Sequence, residues 1–262
     1  MTPRFEQLAE ELANAWRDGT TIPLPGRGLG PSTRAEAYAI QDHMAERIGG
    51  KVVGWKVGAT VRAVQLFEGH DGPLPGRIFA DRCYKSPANI PARLHHGAKV
   101  ECEFAFSLTA DLPPGSGAVT ADAIANRVAF HPAIELAATR YAPGTGNRAA
   151  NTFDGIADNG TGGAAVLGPA VADWQKLAFE TMVIDARIDQ SPPIQAYGGP
   201  YRRHPLAIVA ETFSDLRSRG VPLPPGTIVL TGSLTLPTPI RPGQTLVARF
   251  AELAPLELRF SA

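Results

Sequence analysis

The sequence predicts an α+β fold in which a mixed, strongly curved sheet follows a helical cap, and three observations predict it. Hydrophobic periodicity is helical over the first 50 residues and shifts to a two-residue alternation beyond Lys51. Glycine (27) and proline (24) together make up nearly a fifth of the 262 residues, which calls for many turns between short strands and argues against a helical bundle. One long helical stripe, in the last quarter of the chain, interrupts the strands.

Phe5, Leu8, Leu12 and Trp16 recur at three- and four-residue steps, predicting an amphipathic helix that stops near Gly19. Thr33 and Glu36 have capping-box spacing, and Ala37, Ile40, Met44 and Ile48 continue as an apolar stripe to Gly49-Gly50. Residues 1–50 therefore read as a helical N-terminal part and 51–262 as the sheet-bearing remainder, together one compact unit. Val52, Val53, Trp55 and Val57 predict the first strand. Four prolines between Pro73 and Pro91 confine any strand there to sheet edges or bulges. The clearest strand is 100–108, with Glu101, Glu103 and Ala105 on one face and Cys102, Phe104 and Phe106 on the other, running out at Asp111 and Pro113-Pro114-Gly115. Further strands are expected at 133–138, 164–171, 182–188, 227–230, 246–250 and 256–260. Pro205 suits the first position of the long helix, Leu206, Val209, Phe213 and Leu216 form its buried stripe, and Gly220 ends it.

Charge and composition narrow the function classes. With 25 Lys+Arg against 25 Asp+Glu and no basic block, the chain lacks the means to neutralise a nucleic-acid backbone. No apolar run approaches the ~18 residues of a membrane span, and 44% hydrophobic against 19% charged residues argues against disorder. Two cysteines, Cys83 and Cys102, do not staple a chain of this size, and the N-terminus lacks the apolar run of a signal peptide, so a cytoplasmic location is expected. The six histidines have no HExxH or zinc-finger spacing, which disfavours soft-metal chemistry.

The most informative motif is Glu101-Cys102-Glu103. A strand repeats every two residues, so both carboxylates point to the same side about 7 Å apart. Two like charges that close either face water or are held by a cation, and the apolar flanks Val100, Cys102, Phe104, Ala105 and Phe106 add weight to the cation. Glu135 is again the sole charge in an apolar strand, and three carboxylates suit a hard ion such as Mg²⁺ or Mn²⁺. Spacing alone leaves the solvated face of an antiparallel sheet as an alternative. Lys56, alone in an otherwise uncharged strand, is either a buried lysine of lowered pKa, serving as acid, base or anion holder, or a snorkelling side chain. Asp158-Asn159-Gly160 is a ligand-facing loop or an ordinary turn, without Walker or Rossmann spacing. Thr231-Gly232-Ser233 ends a strand in a small-residue turn, and no G-x-S-x-G elbow accompanies it.

In chain order, Gly54-Trp55-Lys56-Val57-Gly58-Ala59-Thr60, Gly76-Arg77-Ile78-Phe79-Ala80-Asp81, Val100-Glu101-Cys102-Glu103-Phe104, His131-Pro132-Ala133-Ile134-Glu135, Ala157-Asp158-Asn159 and Leu230-Thr231-Gly232-Ser233-Leu234 resemble segments of the 2-keto-4-pentenoate hydratase family. That family, with the 4-oxalocrotonate decarboxylases, is part of the fumarylacetoacetate hydrolase superfamily. The resemblance implies a helical N-terminal part before a rolled, mixed β-sheet of that superfamily's C-terminal-domain type, and homo-oligomers. It implies that Glu101, Glu103 and Glu135 match the metal-binding acids, Lys56 the active-site lysine and Asp81 a catalytic-site acid. Asn159 and Ser233 become candidates for hydrogen bonds to substrate or water. Ala59-Thr60-Val61-Arg62 and the Gly-Thr-Gly-Gly run after Asn159 depart from the more usual segments of relatives, at positions that bear on substrate identity.

The implied partner is a small 2-oxo or 2-hydroxydienoic acid, and the implied activity is hydration of a 2-hydroxy-2,4-dienoate to a 4-hydroxy-2-oxo acid. A decarboxylase of the 4-oxalocrotonate type uses nearly the same apparatus plus a cationic pocket for a distal carboxylate, for which Arg62, Arg77, Arg140 and Arg148 are available. An acylpyruvate C–C hydrolase and a catalytically silent oligomerisation subunit are the remaining readings. The first lacks a His-Glu water-activating pair beside the acids; intact Lys56, Glu101, Glu103 and Glu135 speak against the second.

Overall fold

A computed structural model describes residues 2–69, 72–113, 115, 117–145 and 148–262. Pro114 of the expected turn, and His70 and Met1, lie outside the described residues. The two N-terminal helices form where the stripes and caps place them. Helix α1 spans Pro3–Asp18 and ends on Gly19 at φ 64°. Helix α2 spans Arg34–Ile48; Thr33 Oγ1 accepts the Glu36 N–H at 3.2 Å, and the Glu36 carboxylate accepts the Ser32 N–H and hydroxyl at 2.8 Å. Leu8, Leu12, Trp16, Ile40 and Met44 pack as one apolar cluster that also takes in Phe79, Tyr141 and Ala157 of the later chain.

The larger sheet has eight strands. Seven follow the order β2 (Leu74–Phe79), β1 (Val52–Gly58), β9 (Ile228–Ser233), β5 (Lys99–Leu108), β6 (Val128–Ala137), β7 (Gly162–Leu167) and β3 (Cys83–Lys85). The short β10 (Thr238–Pro239) pairs with the start of β5. Strands β1–β9 and β3–β7 are parallel and the rest antiparallel, so the sheet is mixed as expected. A smaller sheet runs β4 (Ala88–Pro91), β12 (Leu256–Ser261), β11 (Thr245–Phe250) and β8 (Ile184–Ile188). The proline-rich 73–91 stretch supplies three strands, β2, β3 and β4, and all three lie at sheet edges, where a missing N–H breaks no ladder.

Strand β6 starts five residues earlier than expected and runs through Pro132. Phe104 stands opposite Pro132, and its carbonyl turns to β9, accepting the Thr231 hydroxyl at 3.1 Å. The pair is therefore non-hydrogen-bonded, and the nitrogen of Pro132 points towards β7, whose pairing begins only at Ala133. The remaining helices are α3 (Arg62–Glu68), α4 (Ala121–Ile124), α5 (Thr152–Ala157) and α6 (Pro205–Ser218). Helix α3 escapes periodicity because, of its residues, only Gln65 is buried.

The two faces of the larger sheet are unlike. Phe104, Phe106 and Phe130 point to one side, where Phe250 and Phe260 of the smaller sheet and Phe213 of α6 complete the main core. On the other side lie small side chains, Ala105, Ala133 and Ala165, with Ile78, Ile228 and Leu230. Side-chain alternation places Glu101, Glu103 and Glu135 on that second side.

Candidate active site

Register brings the acids together. Glu101 on β5 faces Glu135 on β6 directly, and Glu103 is two residues along the same face of β5. One carboxylate oxygen from each lies within 4.8 Å of the others. Glu103 and Glu135 are only 1% and 2% exposed, so the solvated-face alternative does not describe this pair of strands. The end of β9 supports the cluster: the Gly232 N–H donates to Glu103 Oε2 at 2.8 Å, and Ser233, whose hydroxyl donates to the Thr235 carbonyl at 2.6 Å, stands beside Glu101. Gly232 sits at φ 93°, and a Cβ there would stand 2.8 Å from Thr60 Oγ1, so this turn admits only glycine.

Lys56 comes from β1, between Gly76 of β2 and Leu230 of β9. Its Nζ lies 3.2 Å from Glu135 Oε1 and donates to the Gly160 carbonyl at 3.0 Å. Burial works to lower its pKa, but Glu135, Glu101 and Glu103 outweigh it and leave the ammonium held above the ordinary lysine value. The lowered pKa expected from the sequence is thereby corrected: three nearby carboxylates stabilise the charged form. Burial and then Glu135 push Glu101 up to about 7, while burial, Glu135 and Glu101 hold Glu103 well above the usual carboxylate range.

Three carboxylates and one ammonium leave this buried cluster short of positive charge. Among the described residues, neither oxygen of buried Glu135 has a hydrogen-bond partner, Lys56 being at ion-pairing distance but off hydrogen-bond geometry. Orphaned, converging carboxylate oxygens are costly as they stand and fit a hard divalent cation. Glu101 and Glu103 open onto a cavity of about 790 Å³, also lined by Lys56, Ser233 and Gly160. Val61, Val64, Phe67, Leu74 and Phe153 give its lining apolar surface, and Thr60, Glu68, Asn151, Thr152, Thr161, Tyr197 and Tyr201 add polar groups.

Two candidates fall elsewhere. Asp81 lies exposed on a 3-10 turn, Ala80–Arg82, and lines no part of the cavity. Phe79, the last residue of β2, is drawn against Trp16 of α1 at 5.2 Å between ring centroids, and the turn after it swings Asp81 to solvent. Asn159 sits behind the cavity, its amide fully engaged with β2: Oδ1 accepts the Arg77 N–H at 2.7 Å and Nδ2 donates to the Arg77 carbonyl at 2.9 Å. The arginines considered for a distal carboxylate are also placed. Arg77 pairs with Asp42, Arg140 with Asp158 and Arg148 with Asp154, while Arg62 reaches Gln65 at 3.5 Å, and none of the four lines the cavity. Sequence reasoning missed the Gly160 carbonyl and the Gly232 N–H, which are backbone groups; the glycines themselves were the available signal.

No protein-family model matches the chain. Among curated proteins, it is 31% identical over 251 residues to the 2-keto-4-pentenoate hydratase of Paraburkholderia xenovorans (strain LB400), covering 93% of this chain and 90% of the relative. It is 27% identical over 258 residues to the 4-oxalocrotonate decarboxylase of Pseudomonas sp. (strain CF600), covering 97% and 95%. Among solved structures, the 4-oxalocrotonate decarboxylase from Pseudomonas putida G7, complexed with magnesium and adipate, superimposes with a TM-score of 0.84 at 24% identity, over 99% of this chain and 98% of that one.

Proposed function

The chain belongs to the family of 2-keto-4-pentenoate hydratases and 4-oxalocrotonate decarboxylases, and from that premise we propose that it is a divalent-metal-dependent hydro-lyase of aromatic-compound breakdown. In this reading it adds water to a 2-hydroxy-2,4-dienoate and yields a 4-hydroxy-2-oxo acid. One observation carries the choice within the family: among the described residues lining the cavity, Lys56 is the only lysine, arginine or histidine, and it is committed to the acidic end. The substrate's own carboxylate and C2 oxygen belong at that end. A distal carboxylate, as on the diacid a decarboxylase takes, meets no second cation among those lining residues, and the Glu68 carboxylate that also lines the cavity repels it.

Glu101, Glu103 and Glu135 hold Mg²⁺ or Mn²⁺ in this proposal, and the bound ion supplies Lewis-acid stabilisation of negative charge at the substrate's C2 oxygen. Lys56 moves the proton: the enol O–H proton is lost, C5 gains one, and the product of that step is a 2-oxo-3-enoate. Water then adds across C3 and C4, its hydroxyl to C4 and its proton to C3. Ser233, beside Glu101 in the cavity wall, hydrogen-bonds the substrate. Asp81 and Asn159 take no direct part.

The test is product analysis. With Mg²⁺ or Mn²⁺, purified protein incubated with 2-hydroxypenta-2,4-dienoate is expected to consume the dienoate absorbance and yield the 4-hydroxy-2-oxo acid, and to release no CO₂ from a 2-hydroxymuconate-type diacid. Release of CO₂ from the diacid reverses the choice, and no turnover of any dienoate favours the silent subunit. We further propose a homo-oligomer, supported by the adjacent Leu66 and Phe67 of α3, 63% and 91% exposed, and light scattering on the same preparation tests it. A cytoplasmic location is supported by Cys83 and Cys102, both free thiols. Among the described residues, no helix is long and apolar enough to cross a membrane.

A further inference from the structure

Behind Lys56 the backbone takes an uncommon course. Asn159, Gly160 and Thr161 are three successive residues in the left-handed region, at φ 54°, 61° and 56°. For a β-branched residue such as Thr161 this is a genuine outlier, and it persists only where the surroundings over-determine it. The surroundings here are a buried ion pair. Arg140 is 3% exposed and Asp158 not at all. The Arg140 guanidinium donates from Nε to Asp158 Oδ1, from Nη2 to the Asp158 carbonyl at 2.6 Å and from Nη1 to the Gly162 carbonyl at 2.8 Å. Asp158 Oδ2 accepts the Arg140 N–H and the Thr139 hydroxyl, both at 2.9 Å. Both ends of the 158–162 loop are thus tied to one side chain, and the Asn159 amide ties its middle to β2.

The loop acts on Lys56 in two ways. Its Gly160 carbonyl accepts from Nζ at 3.0 Å and is itself steadied by the Thr161 hydroxyl at 2.7 Å. Its glycines also wall the lysine stem: a Cβ on Gly160 would lie 3.5 Å from Lys56 Cδ, on Gly162 3.5 Å from Cγ, and on Gly76, across from them, 3.2 Å from Cδ. The methylenes run in a glycine sleeve whose position depends on the loop. Glu135 is the other partner of the ammonium. Once that carboxylate is drawn to a cation, the Gly160 carbonyl is the contact left to aim Nζ.

We infer that Arg140 and Asp158 are positioning residues for Lys56: their ion pair holds the left-handed loop that sleeves the lysine stem and aims its ammonium into the cavity. The inference rests on the reading of Lys56 as the proton carrier. Neither Arg140 nor Asp158 lines the cavity, so neither is offered as catalytic.

A double-mutant cycle on the full chain tests it. Arg140→Lys keeps the charge but loses the planar fork. It is expected to lower kcat about 30-fold, with KM and Mn²⁺ affinity within about threefold of the parent, since small misplacement of a reacting group costs turnover more than binding. In a Lys56→Ala background, itself down by about 10²-fold, the same change is expected to cost less than about twofold. A crystal structure of Arg140→Lys is expected to show the Gly160 carbonyl beyond ~3.5 Å of Nζ. Should Arg140→Lys fail to fold, Asn159→Asp, which sets a carboxylate against the Arg77 carbonyl, is expected to give the same pattern. Equal losses in both backgrounds, unchanged turnover, or an undisturbed Gly160–Lys56 contact overturns the inference. If Lys56→Ala alone leaves turnover intact, the proton-carrier reading falls, and the crystallographic distance still decides the clamp.

Discussion

The two faces of the larger sheet are built from the same strands, yet one is an aromatic core and the other a charged cleft. On one face Phe130 meets Phe104, Phe106 and Phe179 with ring centroids 5.6, 5.4 and 5.0 Å apart, contacts that stabilise and ask nothing more of the chain. On the other, three carboxylates and a lysine are buried at a cost that the Lys56 ammonium and the Gly232 N–H offset only in part. The alternation of β5 holds both faces in one strand, so stability and chemistry are separated by a single residue step.

The largest effect that sharpens this contrast is expected from the charged face. Glu103→Gln removes one of the proposed ligands while keeping its shape, and is expected to lower metal-dependent kcat/KM by at least ~10³-fold. Measured in EDTA, its melting temperature is expected to equal or exceed that of the parent, because one of three mutually repelling buried carboxyls is gone. A parent-sized rise in melting temperature on adding Mn²⁺ to the variant would remove Glu103 from the site. The aromatic face is expected to answer in the opposite sense. Phe130 is fully buried, and Phe130→Ala is expected to cost about 3–5 kcal/mol of unfolding free energy by urea titration. Its folded fraction is expected to bind Mn²⁺ as the parent does, and weakened binding would show that the faces are coupled through the strand.

This contrast also separates what the sequence discloses from what it withholds. Period-two alternation assigns Glu101 and Glu103 to one side of a strand without any knowledge of neighbours, and the helix caps at Thr33 and Gly19 are equally local. Whether that side is wet or dry depends on β6 and β9, which arrive from 30 to 130 residues away, so burial was not legible from spacing. The resemblance to a known family supplied that missing link for Glu135 and Lys56. It gave no warning that Asn159 spends its amide on β2, or that a turn carries Asp81 outward, because both follow from packing against other elements. Arg140 and Asp158 were invisible as a pair, since their bonds form only once β6 and the loop before β7 are side by side.

The smallest expected effect comes from a buried titratable group that belongs to neither face. His95 is 3% exposed, packs 6.4 Å from the Phe260 ring, and among the described residues has no hydrogen-bond partner at either ring nitrogen. Burial first, and then the positive charges of Arg82 and Arg140, hold its pKa down to about 3. The unfolded chain binds a proton at His95 below an ordinary value of ~6.5, and the folded chain does not until pH nears 3, so stability is lost as pH falls through that window and is flat above it. At pH 5 the loss amounts to about 2 kcal/mol, nearly independent of where the folded value lies below 4. Protonation of the carboxylate cluster acts in the opposite direction, so the comparison is between variant and parent at each pH, in EDTA. His95→Leu, followed by urea unfolding at pH 7.5 and pH 5, is expected to lose about 2 kcal/mol less than the parent between the two conditions. Identical losses would mean that the histidine is protonated in the folded chain despite the two arginines. The surroundings of His95 would then have to contain a counter-charge or water.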